Sequence, residues 1–232
     1  MREVFLGGLP AYQFQLLENF SGTLKHAVFS REGGVSPKPF DSLNVRFGIG
    51  DIPENVVINR ARICDALSIN HLISANQTHS NHVQMLGQEF LGSALHGDPF
   101  NDVDGFITNI PGVPLMIQVA DCQALLFFEP QKKFIAAIHA GWKGLTKDII
   151  GVTMGKLLQD FEIDPAKLLV GISPSLGPCC AFFSDPHHEM PQDFRPYIDK
   201  EKRVDLWAFC IDKKKKYGIQ AANIELAKIC TH

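Results

Sequence analysis

VPLMIQVADCQALLFFEPQKKFIAAIHAGWKG, residues 113–144, contains the three apolar runs that decide the fold. The runs at 115–120, 124–128 and 134–138 are short and continuous, which is typical of buried strands. The corner Asp121-Cys122 separates the first two runs, and His139 follows the third, ahead of a glycine-containing turn at 141–144. Side chains that follow buried strands are held by a rigid scaffold yet reach solvent, so this stretch also predicts a functional site.

Helix signals occupy much of the remaining chain. A helix is predicted to run to about residue 67, with Asp51 as its candidate cap and Pro53 near its first turn. Further helices are predicted at about 146–160 and 205–217, and a further strand at 168–172. Because strands and helices mix without strict alternation, the expected architecture is α+β. No compositional break marks a linker, so residues 1–232 are expected to form a single domain.

Composition narrows the function classes. The formal net charge of −3 gives no reason to expect nucleic acid or an anionic membrane surface as a partner. The basic run at 213–216 is expected to be a solvated helix face, since no aromatic residue interleaves with it. We see no signal peptide and no apolar stretch of membrane-spanning length. The six cysteines suggest no disulfide framework, which favours a cytoplasmic location.

Two imidazoles and one thiol lie at the ends of apolar runs or in polar clusters. They belong to His79, Cys122 and His139, and they are the ligands of an open transition-metal site. The three residues are far apart in sequence, and no Cys-x-x-Cys pair is present, so the pattern differs from a structural zinc site. A catalytic zinc or copper site, with its fourth position left for water or substrate, is therefore predicted.

Two other interpretations of these residues remain open. His79 and His139 would be structural histidines if each were hydrogen-bonded, and Cys122 would then be a small buried hydrophobe. Alternatively, Cys122 would be a nucleophile with His139 as its base and Asp121 nearby. Metal binding and nucleophilic attack both need a thiolate, so residue type does not separate them. The additional histidine, His79, favours the metal.

Two glycine-rich segments are candidates for substrate binding. The segment at 30–36 combines Arg31 with hydroxyls and backbone amides, a composition suited to an anion such as phosphate. The segment at 171–180 leaves a predicted strand into a proline-stiffened loop. A surface turn and a structural loop are the simpler alternatives for these segments. Trp142 would stack on a planar ligand or pack in the core.

The chain resembles the laccase-domain family, also called multicopper polyphenol oxidase-like proteins, whose members are described as purine nucleoside phosphorylases. The resemblance runs in family order from about residue 26 to 231, and the combination of Ala-Asp-Cys with His-Ala-Gly-Trp-basic-Gly is its most specific part. The matching stretches are 30–36, 42–45, 55 with 59–60, 77–79, 104–108, 120–122, 139–144 and 177–180.

The resemblance implies a fold, a metal and an activity. The implied fold is a four-layer α/β/β/α sandwich with two mixed sheets. The implied cofactor is zinc or copper on His79, Cys122 and His139. The implied activity is phosphorolysis of adenosine, inosine, guanosine and methylthioadenosine, with an adenosine deaminase side activity. The partners are then a small-molecule nucleoside and phosphate, and the oligomeric state is left undecided.

The resemblance also suggests roles for single residues. Asp121, Cys122 and His139 are the expected catalytic residues, with Asp121 as a proton shuttle. The expected substrate-binding residues, which include an anion clamp, are Arg31, Ser36, Asn44, Arg60 and Lys143.

Three features depart from the family pattern, and they keep other functions open. Gln123 follows Cys122 where a small or apolar residue is usual, Lys143 replaces an arginine, and the sequence stops at His232. Copper-dependent phenol oxidation is the runner-up, because two histidines and a cysteine match a blue-copper site. However, the nine histidines include no His-x-His pair, which argues against a true laccase mechanism. A metal-stabilised binding module without activity is the third hypothesis.

Overall fold

Strands and helices alternate irregularly along the chain, and the predicted α+β architecture is confirmed. The computed structural model describes residues 1–91 and 97–232. Its helices are α1 Gln15–Glu18, α2 Pro53–Leu67, α3 Trp142–Thr146, α4 Ile149–Asp160, α5 Pro186–Glu189 and α6 Leu206–Lys216. Its strands are β1 Arg2–Leu6, β2 Leu9–Gln13, β3 Val28–Phe29, β4 Ala75–Asn76, β5 Val83–Met85, β6 Phe100–Asn101, β7 Gly105–Thr108, β8 Gln123–Glu129, β9 Phe134–Ala140, β10 Leu169–Ile172 and β11 Ile224–Leu226.

A mixed sheet lies at the centre of the molecule. Within the described residues it has six strands in the order β11-β10-β8-β9-β7-β5. The antiparallel pair β8 and β9 forms its middle, with Gln123 opposite Ala140 and Ala124 opposite His139. The first residue of β8 therefore lies next to the last residue of β9. This register places the Asp121-Cys122 corner beside His139.

The two faces of this sheet are covered by different elements. In β8, Leu125 and Phe127 belong to the core that also contains the buried residues of α4 and α6. The alternate residues Leu126 and Phe128 pack instead with Phe14 and the N-terminal segment. The period of two in β8 is that of a strand buried on both faces. One face of the sheet is thus covered by helices, and the other face is covered by the N-terminal segment.

The remaining described strands form two smaller sheets. β1, β2 and β3 are antiparallel in that order, and β4 pairs with β6 in parallel. Leu9 of β2 and Phe29 of β3 share a core with Ile63 and Cys64 of α2. Helix α2 therefore forms the outer layer on this side, and the sequence of layers is α/β/β/α.

One predicted strand is wrong. Residues 115–120 form only an isolated bridge between Leu115 and Ile73, without a continuous ladder. Beyond the bridge, the side chain of Gln77 replaces a neighbouring strand. Its amide donates to the carbonyl of Gln118 and accepts from the N–H of Gln118, both at 2.8 Å. A side chain that satisfies the backbone in this way cannot be recognised from apolar periodicity.

Two local predictions also need correction. Asp51 does not cap α2, whose first flanking residue is Ile52, because its carboxylate accepts hydrogen bonds from Ser36 and Asn44 instead. The basic run at 213–216 is not wholly solvated, since Lys214 is fully buried and donates to the carbonyl of Cys210. Burial lowers the pKa of Lys214 to about 8.

The other predicted helices and strands are present within a few residues. β8, β9 and β10 are confirmed, as are α2 and α6. The helix expected at 146–160 is divided into α3 and α4, since Asp148 adopts a left-handed conformation and accepts from the N–H of Gly151 as the cap of α4. In the described parts of the chain, none of the helices combines the length and the apolar character that crossing a bilayer would require.

Candidate metal centre

Three side chains converge at one end of the β8–β9 pair. The donor atoms of His79, Cys122 and His139 all lie within 4.8 Å of one another. Cys122 Sγ is 3.7 Å from His79 Nε2, and the two imidazole rings meet edge to face with their centroids 4.6 Å apart. The sequence prediction that these residues are neighbours is therefore met by the geometry, and two imidazoles with one thiol form an open donor set.

Each of the three residues is positioned by a different feature of the backbone. His139 lies in β9, one residue before the strand ends. Cys122 directly precedes β8, in a bend at 120–122. His79 lies in the loop between β4 and β5 and has a left-handed backbone, with φ +62. This conformation is uncommon for residues other than glycine, and contacts with the surroundings help to hold it.

The carboxylate of Asp104 holds His79 in its left-handed conformation. This fully buried group accepts hydrogen bonds from three successive backbone N–H groups, those of Thr78, His79 and Ser80, at 3.1, 3.0 and 2.7 Å. The hydroxyl of Ser80 donates to it as well, at 2.9 Å. The loop that carries His79 is therefore folded around one negative charge.

Asp104 also orients His139. Its Oδ1 lies 2.7 Å from Nδ1 of His139, which leaves Nε2 on the opposite side of the ring for a ligand. Burial alone would raise the pKa of Asp104, but the hydrogen bonds from His139, Ser80 and Thr78 hold it at about 2. A histidine whose second nitrogen donates to a carboxylate is the usual arrangement of a metal-ligating histidine.

Gly141 allows the three donors to approach one another. A Cβ atom at this position would lie 2.8 Å from the sulfur of Cys122 and 2.7 Å from Cδ2 of His79. Its φ of −68 is open to any residue, so the requirement for glycine comes from space and not from conformation. Gly141 is thus part of the wall of the site.

The electrostatics of the cluster fit a cation. Burial, with the Asp121 and Asp104 carboxylates nearby, raises the pKa of the Cys122 thiol to about 11. Burial and the neighbouring His139 ring lower the pKa of His79, so its imidazole is held neutral. A bound cation reverses the first effect, because a coordinating thiol is deprotonated outright. Neutral imidazoles and a thiolate are the donor set that zinc and copper accept.

Basic side chains surround the mouth of the cluster. The charges of Lys143 and Arg46 both act on the His79 imidazole and contribute to its lowered pKa. The guanidinium of Arg46 reaches the carbonyl of Gln77 at 3.5 Å, and the ammonium of Lys147 donates to the carbonyl of His79 at 3.2 Å. Lys143 is exposed and lies 5.6 Å above the ring of Trp142. Three cationic groups therefore lie around His79 and favour an anion there.

Three of the residues expected to bind substrate, Arg31, Ser36 and Asn44, are engaged in hydrogen bonds within the 30–51 segment. Ser36 and Asn44 both donate to the Asp51 carboxylate, at 2.7 and 2.8 Å, and Ser36 is buried. Arg31 is exposed, and its guanidinium contacts the carbonyl and the carboxylate of Asp41 at 2.7 and 3.1 Å. These contacts hold the 30–46 loop together and bring Arg46 towards the cluster.

Arg60 has no exposed donor. Its guanidinium is fully buried, pairs with Asp98 at 2.8 Å, and also donates to the Val45 carbonyl and to Ser74. A fully buried guanidinium with these partners cannot be reached by a soluble anion. We therefore assign Arg60 to the support of the segment that contains Arg46, and not to the direct phosphate contact that its charge suggested.

Asp121 lies beside the cluster and faces the C-terminal segment. The bend that was predicted at Asp121-Cys122 is present. The exposed carboxylate accepts from the hydroxyl of Thr231 at 2.8 Å, and its charge acts on Cys122.

Next along the chain, Gln123 is buried, and neither polar atom of its side chain has a hydrogen-bond partner within the described residues. Trp142 is half-buried, with its ring edge against Phe183, as in the core alternative.

Two residues of the site were missed by sequence reasoning. Asp104 was seen only as part of a matching stretch, because nothing in the local sequence shows that its carboxylate folds a loop 24 residues away. Arg46 was also missed, although it directly follows the matching stretch at 42–45. A basic residue next to a matching segment was the available signal.

Comparison with known proteins decides the family. The family model described as multi-copper polyphenol oxidoreductase laccase matches residues 25–232. The chain belongs to this family. The match includes all three cluster residues and the carboxylate that holds them.

Curated relatives carry the name of one activity. The chain is 29% identical to a purine nucleoside phosphorylase of Bacteroides thetaiotaomicron, over 94% of this chain and 86% of the relative. It is 31% identical to the purine nucleoside phosphorylase YlmD of Geobacillus stearothermophilus, over 91% of this chain and 82% of the relative. These names describe the relatives.

Solved structures support the fold. The chain resembles the hypothetical protein YfiH of Bacillus licheniformis with a TM-score of 0.81 and 25% identity, over 88% of this chain and 82% of that chain. It resembles YlmD of Geobacillus stearothermophilus with a TM-score of 0.79 and 26% identity, over 88% of this chain and 80% of that one.

The close approach at Gly141 leads to a prediction. The variant Gly141→Ala places a methyl group between Cys122 and His79, and overpacking of about 1–3 kcal/mol corresponds to roughly ten- to hundredfold weaker metal binding. Zinc affinity measured against a chromophoric chelator tests this. Gly155→Ala is the matched control, since no atom lies within 4 Å of its added Cβ. Unchanged zinc affinity in Gly141→Ala would mean that the three donors do not share one ion.

Proposed function

We propose that the chain is a metal-dependent purine nucleoside phosphorylase that acts on adenosine, inosine, guanosine and methylthioadenosine, with adenosine deamination as a side activity. The observation that carries the proposal is an open His79–Cys122–His139 donor set flanked by Arg46 and Lys143. The names of the curated relatives supply the substrate class. An anion site next to an open metal site suits a reaction in which phosphate and a nucleoside meet.

Zinc or copper on His79, Cys122 and His139 would supply a Lewis acid with an open coordination position. The chain's own residues would provide the remaining functions. Asp104 would keep His139 in the tautomer that presents Nε2, and Gly141 would leave room for the donors. Because Asp104 is buried and ionised, this positioning would persist throughout the physiological pH range.

Phosphorolysis needs an anion clamp. An oxygen of phosphate bonds to C1′ of the ribose while the bond from C1′ to the purine nitrogen breaks, and the electron pair of that bond leaves with the base. Arg46 and Lys143 would bind the phosphate and hold it in line with the breaking bond, since the transition state develops positive charge on the sugar next to this anion. The products are the free purine and the sugar 1-phosphate, which is ribose 1-phosphate for adenosine, inosine and guanosine and keeps the 5′-methylthio group for methylthioadenosine.

The departing purine nitrogen must receive a proton. We assign the relay of this proton to Asp121, whose exposed carboxylate adjoins a proposed ligand and is held by the Thr231 hydroxyl. The carboxylate would accept the proton of the attacking monohydrogen phosphate and pass it to the purine nitrogen, so that the sugar phosphate leaves as its dianion. A proton carrier need not touch the metal, so its loss would affect turnover more than metal content. Asp121 differs in this respect from Cys122, whose loss would remove both.

The experiment that tests this function compares three proteins. Wild type with inosine and phosphate should release hypoxanthine and ribose 1-phosphate, and adenosine alone should yield some inosine and ammonia. Cys122→Ser should lose most of its metal and its turnover, because a hydroxyl is a poor ligand for a soft site. Asp121→Asn should keep its metal and lose about a hundredfold in turnover, as expected for loss of a general acid or base.

Each contrary outcome has a distinct meaning. A metal-loaded wild-type protein that releases no purine base from any of the four nucleosides would contradict the phosphorylase assignment and favour the binding-module hypothesis. Oxygen uptake with a phenol in place of phosphorolysis would favour the oxidase. Normal turnover of Asp121→Asn would make Asp121 structural, and loss of metal in this variant would make it part of the metal site.

The phosphate clamp is tested separately. Arg46→Ala removes a charge-assisted contact, so the Michaelis constant for phosphate should rise roughly tenfold or more, while that for inosine changes little. Arg31→Ala is the matched comparison, because its guanidinium is already engaged by Asp41. If Arg31→Ala rather than Arg46→Ala raised the phosphate constant, the 30–36 segment would be the anion site, as its composition first suggested.

A further inference from the structure

A second group of metal-binding side chains lies outside the site described above. The sulfur atoms of Cys179, Cys180 and Cys230 all lie within 4.8 Å of one another. The distance from Cys179 Sγ is 3.1 Å to Cys180 Sγ and 3.6 Å to Cys230 Sγ. All three donors are thiols, and they come from two segments separated by about fifty residues of sequence. This group is called the thiol cluster below.

The backbone holds the thiol cluster in place. The carbonyl of Gly177 accepts from the N–H groups of Cys180 and Ala181, both at 3.0 Å, which closes a turn around the first two cysteines. Cys230 is fixed by a parallel bridge to Ser175, with backbone hydrogen bonds on both sides of it. Main-chain contacts thus fix the two backbone segments from which the three sulfurs project, so only the side chains remain for a ligand to order.

The thiol cluster is accessible, unlike the other cysteines outside the first site. Cys179 is exposed, and Cys180 and Cys230 are half-buried. Cys64 and Cys210 are buried in the core, where burial raises the pKa of each thiol to about 11. A solvent-borne cation can therefore reach the thiol cluster, whereas the core cysteines act as small hydrophobes.

A backbone hydrogen bond also holds one sulfur of the thiol cluster. The N–H of Gly177 donates to Cys230 Sγ at 3.2 Å. This contact keeps the sulfur next to those of Cys179 and Cys180, and a cation bound among them would stabilise all three thiolates together.

A disulfide explains the geometry less well. Neighbouring Cα atoms are about 3.8 Å apart across a trans peptide, which is shorter than the roughly 4.4–6.8 Å that disulfides span. Cys179 and Cys180 are therefore poor partners for each other. A disulfide between Cys230 and either of them would leave the third thiol unpaired. Three convergent thiols suit one shared cation better than a pair of oxidised sulfurs.

The number and type of donors select the cation. Soft thiolates favour monovalent copper, zinc and iron–sulfur clusters. Structural zinc and iron–sulfur clusters require four protein ligands. In the part of the chain that the structure describes, no fourth histidine, cysteine or carboxylate joins this group within the same 4.8 Å. Zinc sites of enzymes with three protein ligands include histidine, as in the first site, whereas this group has none. A three-coordinate site made of thiolates alone suits monovalent copper.

We propose that Cys179, Cys180 and Cys230 form a second metal site, distinct from His79–Cys122–His139, which binds one monovalent copper ion through three sulfur ligands. The two sites are linked by the chain itself. Thr231, next to Cys230, donates to the carboxylate of Asp121, next to Cys122, and the N–H of Leu176 donates to the Asp121 carbonyl. Copper in the thiol cluster would fix the segment that holds Asp121.

The test uses the full chain with its first site disabled. Cys122→Ser, reduced and kept free of oxygen, is titrated with monovalent copper in competition with bicinchoninate. We expect this protein to capture one equivalent of copper. Adding Cys230→Ser or Cys179→Ser should abolish the capture, and adding Cys64→Ser, a matched control outside both groups, should preserve it. X-ray absorption of the copper-loaded protein should show three sulfur neighbours and no imidazole.

Several outcomes would overturn this assignment. One is that bicinchoninate keeps the copper, and another is that capture persists after Cys230→Ser and Cys179→Ser. Capture through fewer than three sulfurs, or with imidazole in the first shell, would equally contradict it. Thermal unfolding of each variant distinguishes loss of a ligand from loss of the fold. The exposed Cys179 provides the substitution that is least able to disturb packing.

Discussion

The buried carboxylate of Asp104 is the interaction on which the candidate active site depends. An ionised carboxylate away from water carries a penalty of several kcal/mol unless hydrogen bonds satisfy its oxygens. Asp104 obtains them from three consecutive peptide groups, from the Ser80 hydroxyl and from His139. The loop therefore cannot open without removing these donors and leaving the buried carboxylate unsatisfied. One side chain in this way sets the backbone of His79 and the tautomer of His139.

The central sheet supplies the second constraint. The register of β8 against β9 places Gln123 opposite Ala140, so the corner that carries Cys122 and the strand end that carries His139 cannot separate without breaking the ladder. Gly141 then permits a sulfur and an imidazole to come closer than any larger residue would allow. Stability of the sheet and geometry of the site therefore depend on the same hydrogen bonds. Substitutions in this hairpin are expected to affect both.

The sequence predicted features that depend on local patterns. β8, β9 and α2 were predicted because apolar periodicity and a proline in the first turn are properties of a few adjacent residues. The proximity of His79, Cys122 and His139 was predicted because they lie at the ends of apolar runs, and the ends of neighbouring strands lie close together in a sheet. The prediction of a strand at 115–120 was wrong because the Gln77 side chain replaces a neighbouring strand there. That interaction spans about forty residues and leaves no local trace.

Charge was also a poor guide to which basic residues lie beside the His79–Cys122–His139 cluster. Arg60 was expected to hold phosphate, yet its guanidinium is buried against Asp98 and the Val45 carbonyl. Arg46 has the same side chain and lies beside the cluster. The difference between the two arginines is burial, which depends on tertiary packing and not on residue type. For the same reason Lys214 is buried although it lies in a basic run.

The affinity of the Asp104→Asn variant for zinc tests the central role of this carboxylate most directly. The amide keeps the shape but loses the charge that satisfies three N–H groups and His139. Because such supporting partners contribute about ten- to hundredfold to metal affinity, zinc binding should weaken by that factor. Asp102→Asn, an exposed carboxylate that accepts from Thr78 on the same loop, should leave it unchanged. Wild-type zinc affinity in a folded Asp104→Asn protein would contradict the account.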